Sequence, residues 1–298
     1  MKTVGPAFGL RLGTYRHYRP RQARLPSDLE PRERAGGGPL VSIVTPSYNQ
    51  GRYLGATLES VLGQRYPRIE YVVQDGGSTD ESVEVIRRHA DRLASWESGP
   101  DGGHGDGLNR GFARASGEIM GWLNSDDLLL PGAVEAAVRA FEDDASLDVV
   151  YGHRLFVDEA GSEVGRWILP RHSDDALVWR DYIPQETMFW RRSIWERAGG
   201  RIDETLDFAV DWDLVLRFWR AGARFQRLDR LMGGFRTHSS QKSLAQVETV
   251  GLGEFDLLRR RYIRGRLDRA RAQLGSAKYL LASVPAAWRG VGQGGANG

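Results

Sequence analysis

Residues 40–62 read LVSIVTPSYNQGRYLGATLESVL, an apolar run that ends at Pro46 and Asn49 before Tyr53, Leu54, Leu58 and Val61 recur at helical spacing. That pattern predicts strand, loop and helix. The scheme repeats at IEYVVQDGGSTD, residues 69–80, where a β-rich run meets a Gly76-Gly77 turn. Ser78, Thr79 and Asp80 are expected there as caps of a helix carrying Val83, Ile86 and Ala90. GLNRGFARA reads as helix, EIMGWL as a third strand, PGAVEAAVRAF as a helix opened by Pro131, and DVVYG as a fourth strand. Strands separated by helical segments of this length predict an α/β fold with parallel pairing. The ligand crevice is then expected at the carboxyl ends of the strands.

Composition narrows the classes. With 298 residues and 41% hydrophobic content the chain is expected to bury one sizeable core. It contains no cysteine, which excludes disulfides, thiolate metal sites and thiol redox chemistry. A net charge of +2 does not mark a nucleic-acid binder. No run of 18 apolar residues occurs, and the first 21 residues lack the apolar core of a signal peptide, so the expectation is a cytoplasmic protein. Residues 1–38 place Arg11, Arg16, Arg19, Arg21, Arg24, Arg32 and Arg34 among prolines and the Gly36-Gly37-Gly38 triplet, and are expected as a flexible basic arm. The tail from 244 to 298 is again arginine-rich but carries Leu257, Leu258, Ile263, Leu267, Leu274, Leu280, Leu281 and Trp288. It reads as basic amphipathic helix, either packed on its own domain or docked peripherally on the inner face of an anionic membrane.

Three polar loops follow the strands: Thr45 to Asn49, Gln74 to Asp80, and Asn124 to Asp127. Adjacent carboxylates such as Asp126 and Asp127 repel, so they need a cation or hydrogen-bond donors to remain ionised. Mg²⁺ or Mn²⁺ suits such a site, because these ions take one or two protein carboxylates and complete their shell with water and phosphates. A cap on the following helix is the other reading. The run DGGHGDGLNRG, residues 101–111, is rich enough in glycine to let backbone approach a ligand, which places His104 and Asn109 beside a nucleotide. It lacks the order of a dinucleotide fingerprint. Pro46 and Tyr48 line the first loop and are expected to cover a base.

From Pro39 to Ser243 the order of these motifs resembles the family 2 glycosyltransferases, nucleotide-sugar-dependent enzymes of the GT-A fold. The resemblance rests on the strand motif, the Asp-Gly-Gly-Ser-Thr-Asp loop, the Gly-x-x-x-Asn-x-Gly helix and the Asp-Asp pair. It implies a Rossmann-like, mostly parallel sheet flanked by helices, with a nucleotide half at 39–150, an acceptor half at 151–243 and a helical extension. It also implies inverting transfer of a sugar from a nucleoside diphosphate, UDP or dTDP, to a surface glycan or its lipid-linked precursor. By the same resemblance Asp127 binds the metal and Asp126 contacts the donor, together with Asn124, while Asp75 and Gly76 stand where the base is read. His238 matches a late histidine that reaches the metal, and Gln185 and Glu186 lie on the acceptor side.

Direct inversion needs one more carboxylate, to take the acceptor hydroxyl's proton. TLDFAVDWDLVLRFWRAG offers Asp207, Asp211 and Asp213 ahead of a helix; the resemblance implies Asp211, with Val210 replacing the usual acid before it, and leaves Asp213 as a helix cap. Two other classes remain open: a sugar-phosphate nucleotidyltransferase, and a non-catalytic glycan-binding module of the same fold.

Overall fold

The computed structural model describes residues 16–238 and 247–292. Its strands are β1 (Arg16–Arg21), β2 (Val41–Ser47), β3 (Ile69–Asp75), β4 (Ser95–Ser98), β5 (Ile119–Trp122), β6 (Leu128–Leu129), β7 (Val149–Val157), β8 (Glu163–Trp167), β9 (Phe189–Arg191) and β10 (Phe225–Arg236). Helices α1 (Gly51–Leu62), α2 (Ser82–His89), α3 (His104–Arg114) and α4 (Ala133–Asp143) fall where hydrophobic periodicity put them. They are followed by α5 (Asp174–Leu177), α6 (Arg192–Arg197), α7 (Val210–Arg220), α8 (Leu252–Tyr262) and α9 (Arg266–Gly292).

All the strands join one sheet in the order β1-β8-β7-β9-β5-β2-β3-β4, with β10 paired to β7 and β6. β2, β3, β4 and β5 are mutually parallel, as their crossover helices require. In β2, Val41 and Ile43 enter one hydrophobic cluster and Val44 the other, so the strand is covered on both faces.

Two expectations are corrected. The fourth strand, β7, does not pair with β5: the short β9 lies between them, antiparallel to both, which makes the sheet mixed. Three residues are too few to show a period of two, and only pairing on both sides defines β9. The second correction concerns residues 16–38, expected to be a flexible arm. β1 pairs antiparallel with β8, and Arg21 reaches the buried Glu163 at 2.6 Å. Arg34 bridges Glu135 at 3.0 Å and Glu142 at 2.5 Å, while Arg32 meets Asp143 at 2.7 Å. The carboxylates that order these arginines stand more than a hundred residues away on α4 and β8, beyond any local pattern. Residues 1–15 lie outside the described residues.

Candidate active site

The first two strand loops form one wall. Gly76 N donates to Ser47 O at 2.8 Å, Asn49 N to Ser78 Oγ at 2.8 Å, and Thr79 N to Asn49 Oδ1 at 2.9 Å. Asn49 holds a φ of +51°, which turns the chain after Pro46 and leaves Tyr48 62% exposed at the rim. Asp75 is fully buried, and its carboxylate accepts from Gly77 N, Ser78 N, Ser78 Oγ and Ser98 Oγ. It therefore ties the loops after β3 and β4 together. Gly76 is required by its neighbour: a Cβ there would lie 2.9 Å from Asp101 Oδ2, and one at Gly107 would lie 3.0 Å from the same oxygen.

At the end of β5 a relay of side chains runs across the strand ends. His104 Nε2 donates to Asn124 Oδ1 at 3.1 Å, Asn124 Nδ2 to Gln185 Oε1 at 3.2 Å, and Gln185 Nε2 to Trp122 O at 2.8 Å. Three residues chosen from distant motifs thus meet, and each fixes the amide or ring orientation of the next. Asn109 does not join them. It faces the opposite way, donating to Ile202 O and Glu204 and accepting from Ile202 N at 2.8 Å, so it anchors α3 to the chain ahead of α7.

The two carboxylates of the acidic pair stand in different surroundings. His238 Nε2 stands 3.0 Å from Asp126 Oδ2, and Asp126 retains solvent access. Asp127 is buried; its Oδ1 accepts from Arg236 N at 3.0 Å, and its pKa is pushed well up by burial and by the charges of Asp126 and Glu186. The open carboxylate beside the histidine is therefore Asp126, and Asp127 braces β10 from beneath.

Arg154, in the middle of β7, grips Glu186 with Nε at 2.7 Å and Nη2 at 2.5 Å, and lies 4.2 Å from the Phe235 ring centroid. Burial opposes its charge, but Glu186, Asp127 and Asp181 hold its pKa up. Its field reaches Asp211 too. Burial lifts the Asp211 carboxyl to about 6, and burial together with the Asp211 charge lifts Asp181 well above the usual range.

Asp211 sits in the first turn of α7, and the amides ahead of that turn are held from the far end of the chain. Asp207 N, Phe208 N and Ala209 N all donate to the Glu254 carboxylate of α8, at 2.7, 2.9 and 2.8 Å. Asp213 is not the cap it was expected to be: it is buried between Arg217 at 2.7 Å and Arg261 at 3.0 Å. Arg154, Asp181, Arg236 and Glu254 were not found by sequence reasoning. The visible signal for Arg154 is a lone cation inside the apolar run VVYGHRLFV; Asp181 and Glu254 carry none.

Among the described residues no group of three or more His, Cys, Asp or Glu side chains forms a complete metal cage. Asp126 and His238 supply one carboxylate and one imidazole. That donor set fits a divalent ion that takes its remaining ligands from water and a diphosphate.

A mixed sheet flanked by helices, with an acidic pair in the loop that follows β5, is the architecture of the GT-A glycosyltransferases. The chain belongs to glycosyl transferase family 2, whose model matches residues 42–209. An uncharacterized glycosyltransferase of Mycobacterium tuberculosis is 34% identical over 182 residues, 60% of this chain and 68% of that protein. Chondroitin synthase of Pasteurella multocida is 30% identical over 221 residues, 73% of this chain but only 22% of that enzyme. S. aureus TarS 1-349 in complex with UDP-GlcNAc shares the fold with a TM-score of 0.63 at 20% identity, over 82% of this chain and 72% of that one. The mannosyltransferase PcManGT of Pyrobaculum calidifontis, in complex with GDP-Man and Mn2+, does so with a TM-score of 0.56 at 19% identity, over 87% and 77%.

Proposed function

We propose that this family 2 glycosyltransferase moves a sugar, with inversion, from a UDP- or dTDP-sugar to a growing surface glycan or its lipid-linked precursor, as a metal-dependent cytoplasmic enzyme. The observation that carries the mechanism is Asp211: partly exposed, with its carboxyl lifted to about 6, and within the field of the arginine that also acts on Asp127 and Glu186. A base with a pKa just below neutrality is ionised at working pH yet still accepts a proton readily. The acceptor hydroxyl gives its proton to Asp211, and its oxygen bonds to the anomeric carbon from the face opposite the nucleotide. The bond from that carbon to the diphosphate oxygen breaks, and the electron pair leaves with the nucleoside diphosphate.

Asp126 and His238 are the residues that would hold Mn²⁺ or Mg²⁺. When bound there, the ion supplies charge stabilisation to the departing diphosphate. Tyr48 covers the base, the His104-Asn124-Gln185 relay orients the sugar, and Glu186, held by Arg154, shapes the acceptor side. The uridine donor is supported by the UDP-GlcNAc complex of TarS, the metal by the Mn2+ complex of PcManGT, and a polysaccharide acceptor by the likeness to chondroitin synthase. Family membership sets aside the nucleotidyltransferase reading.

Isothermal titration with UDP, dTDP and GDP, with and without Mn²⁺, tests the donor. Tight binding of UDP or dTDP only with metal is expected; equal binding of all three without metal would remove the proposal. The anomeric configuration of the product tests the rest, because a single displacement assisted by one base inverts.

A further inference from the structure

Large hydrophobic side chains are exposed at seven described positions, and five of them, Leu252, Leu257, Leu267, Leu274 and Leu281, lie on α8 and α9. The last three are 86%, 57% and 73% exposed and stand seven residues apart. In an α-helix, positions seven apart differ by only about 20°, so the three leucines form one stripe roughly 21 Å long. The opposite face of the same helix is buried through Ala272, Ser276, Tyr279 and Ser283. That buried face seats α9 firmly: Tyr279 lies 4.2 Å from Tyr182 between ring centroids, Ser276 Oγ accepts from Arg180 Nε at 2.9 Å, and a side chain at Gly275 would collide with Asp175. Packing on its own domain and presenting a second face are therefore both true of this helix. The stripe cannot be a core face left over from poor packing, because the core face is already used.

Charge identifies what the stripe meets. Between residues 264 and 283 the exposed ionisable side chains are Arg264, Arg266, Arg269, Arg271 and Lys278 against Asp268 alone, and Arg271, though exposed, pairs with Asp175 of α5 at 2.7 Å. On a helical wheel Lys278 and Arg271 fall within about 60° of the leucines, and Ala270 and Ala277 flank the other side. A second copy of the chain would bring one net-basic rim against another, which costs free energy. An anionic bilayer offers the complementary charge, and an interfacial helix with leucines inward and arginines at the headgroups is the arrangement it accepts. No helix among the described residues is long and apolar enough to cross a membrane.

We infer that the outward face of α9, Leu267, Leu274 and Leu281 with Arg271 and Lys278, is a docking surface for an anionic membrane. The helix rests on the segment that runs through Asp181 to Gln185 and Glu186, the acceptor side of the site. Docking then holds that side close to the bilayer, which suits a lipid-linked acceptor. This last step rests on the glycosyltransferase proposal above, whereas the docking itself does not.

The test is co-sedimentation of the full chain with unilamellar vesicles in low salt, using phosphatidylcholine alone or with phosphatidylglycerol. The wild type is expected to sediment with the anionic vesicles and to remain largely in solution with the neutral ones. The triple variant Leu267→Gln, Leu274→Gln, Leu281→Gln, and separately Arg271→Glu with Lys278→Glu, should each reduce partitioning by at least ~tenfold. All these positions face solvent, so UDP affinity measured without vesicles should be unchanged and reports that the variants are folded. Wild-type protein that ignores anionic vesicles, or variants that bind them as well as wild type, would overturn the inference. So would a wild-type dimer in sedimentation velocity that the leucine substitutions dissolve, since that assigns the stripe to a second copy. Failure to bind UDP would count against the donor proposal and leave the vesicle result standing.

Discussion

Both oxygens of Glu186 are held by one guanidinium, that of Arg154, at 2.7 and 2.5 Å, and this ion pair is almost entirely removed from solvent. Removing one partner of such a pair strands the other charge in a low-dielectric interior. Arg154→Met should therefore cost about 3–5 kcal/mol in urea unfolding. Arg154→Lys keeps the charge but loses the two-pronged geometry, so it should fold and lose turnover more than donor affinity. Equal stability of Arg154→Met and wild type would show that the pair is dispensable.

Asp211→Asn should lower turnover by roughly a hundredfold to ten-thousandfold while donor affinity stays near wild type, as expected of a lost general base. A variant that turned over normally would move the base to another carboxylate, with Asp181 the first to examine.

The pKa of Asp211 also sets pH behaviour. Activity should fall with decreasing pH along an acid limb whose midpoint lies near 6 in kcat/KM, because only the ionised carboxylate accepts the proton. For stability the sign is opposite to that of a salt-bridged acid. The folded state holds this proton more tightly than the unfolded chain, so ionisation costs stability progressively as pH rises from about 4 to about 6. Asp211→Asn should thus be more stable than wild type at pH 7, by about 1–3 kcal/mol, with the difference vanishing below pH 4. A loss of stability at pH 7 would mean that the charge is better solvated in the fold than its surroundings imply.

Substituting the two acids of the pair one at a time separates metal binding from bracing. Asp126→Asn should weaken Mn²⁺-dependent UDP binding by at least ~tenfold, because the amide coordinates poorly. Asp127→Asn keeps an oxygen for Arg236 N and should leave that affinity within a few-fold of wild type. The reverse ranking in calorimetry would return the metal to Asp127.

Glu254 connects the tail to the base. Glu254→Ala releases three backbone amides ahead of α7 and should cost about 1–3 kcal/mol, together with a fall in kcat that spares donor affinity. Unaltered kcat in a folded variant would show that α7 keeps its position without the tail.

The β-α alternation was legible in the chain, because strand and helix periods are local and each of the first four helices buries an amphipathic stripe. The gathering of the loops was legible too, since parallel strands bring their following loops to one edge, and there His104 meets Asn124 and Gln185 while Asp126 meets His238. The surroundings of each side chain came instead from the fold. Asp126 and Asp127 are neighbours of the same chemical type, and burial beneath Arg236 separates them. The same holds for Asp75, whose carboxylate is claimed by hydroxyls and amides from two loops, and for Asn109, turned away toward Ile202. Residues 16–38 gain order from carboxylates more than a hundred positions distant, and the raised pKa of Asp211 comes from burial that no neighbour in sequence supplies. Period and loop chemistry are properties of a few adjacent residues; burial and charge environment are properties of what the fold brings alongside.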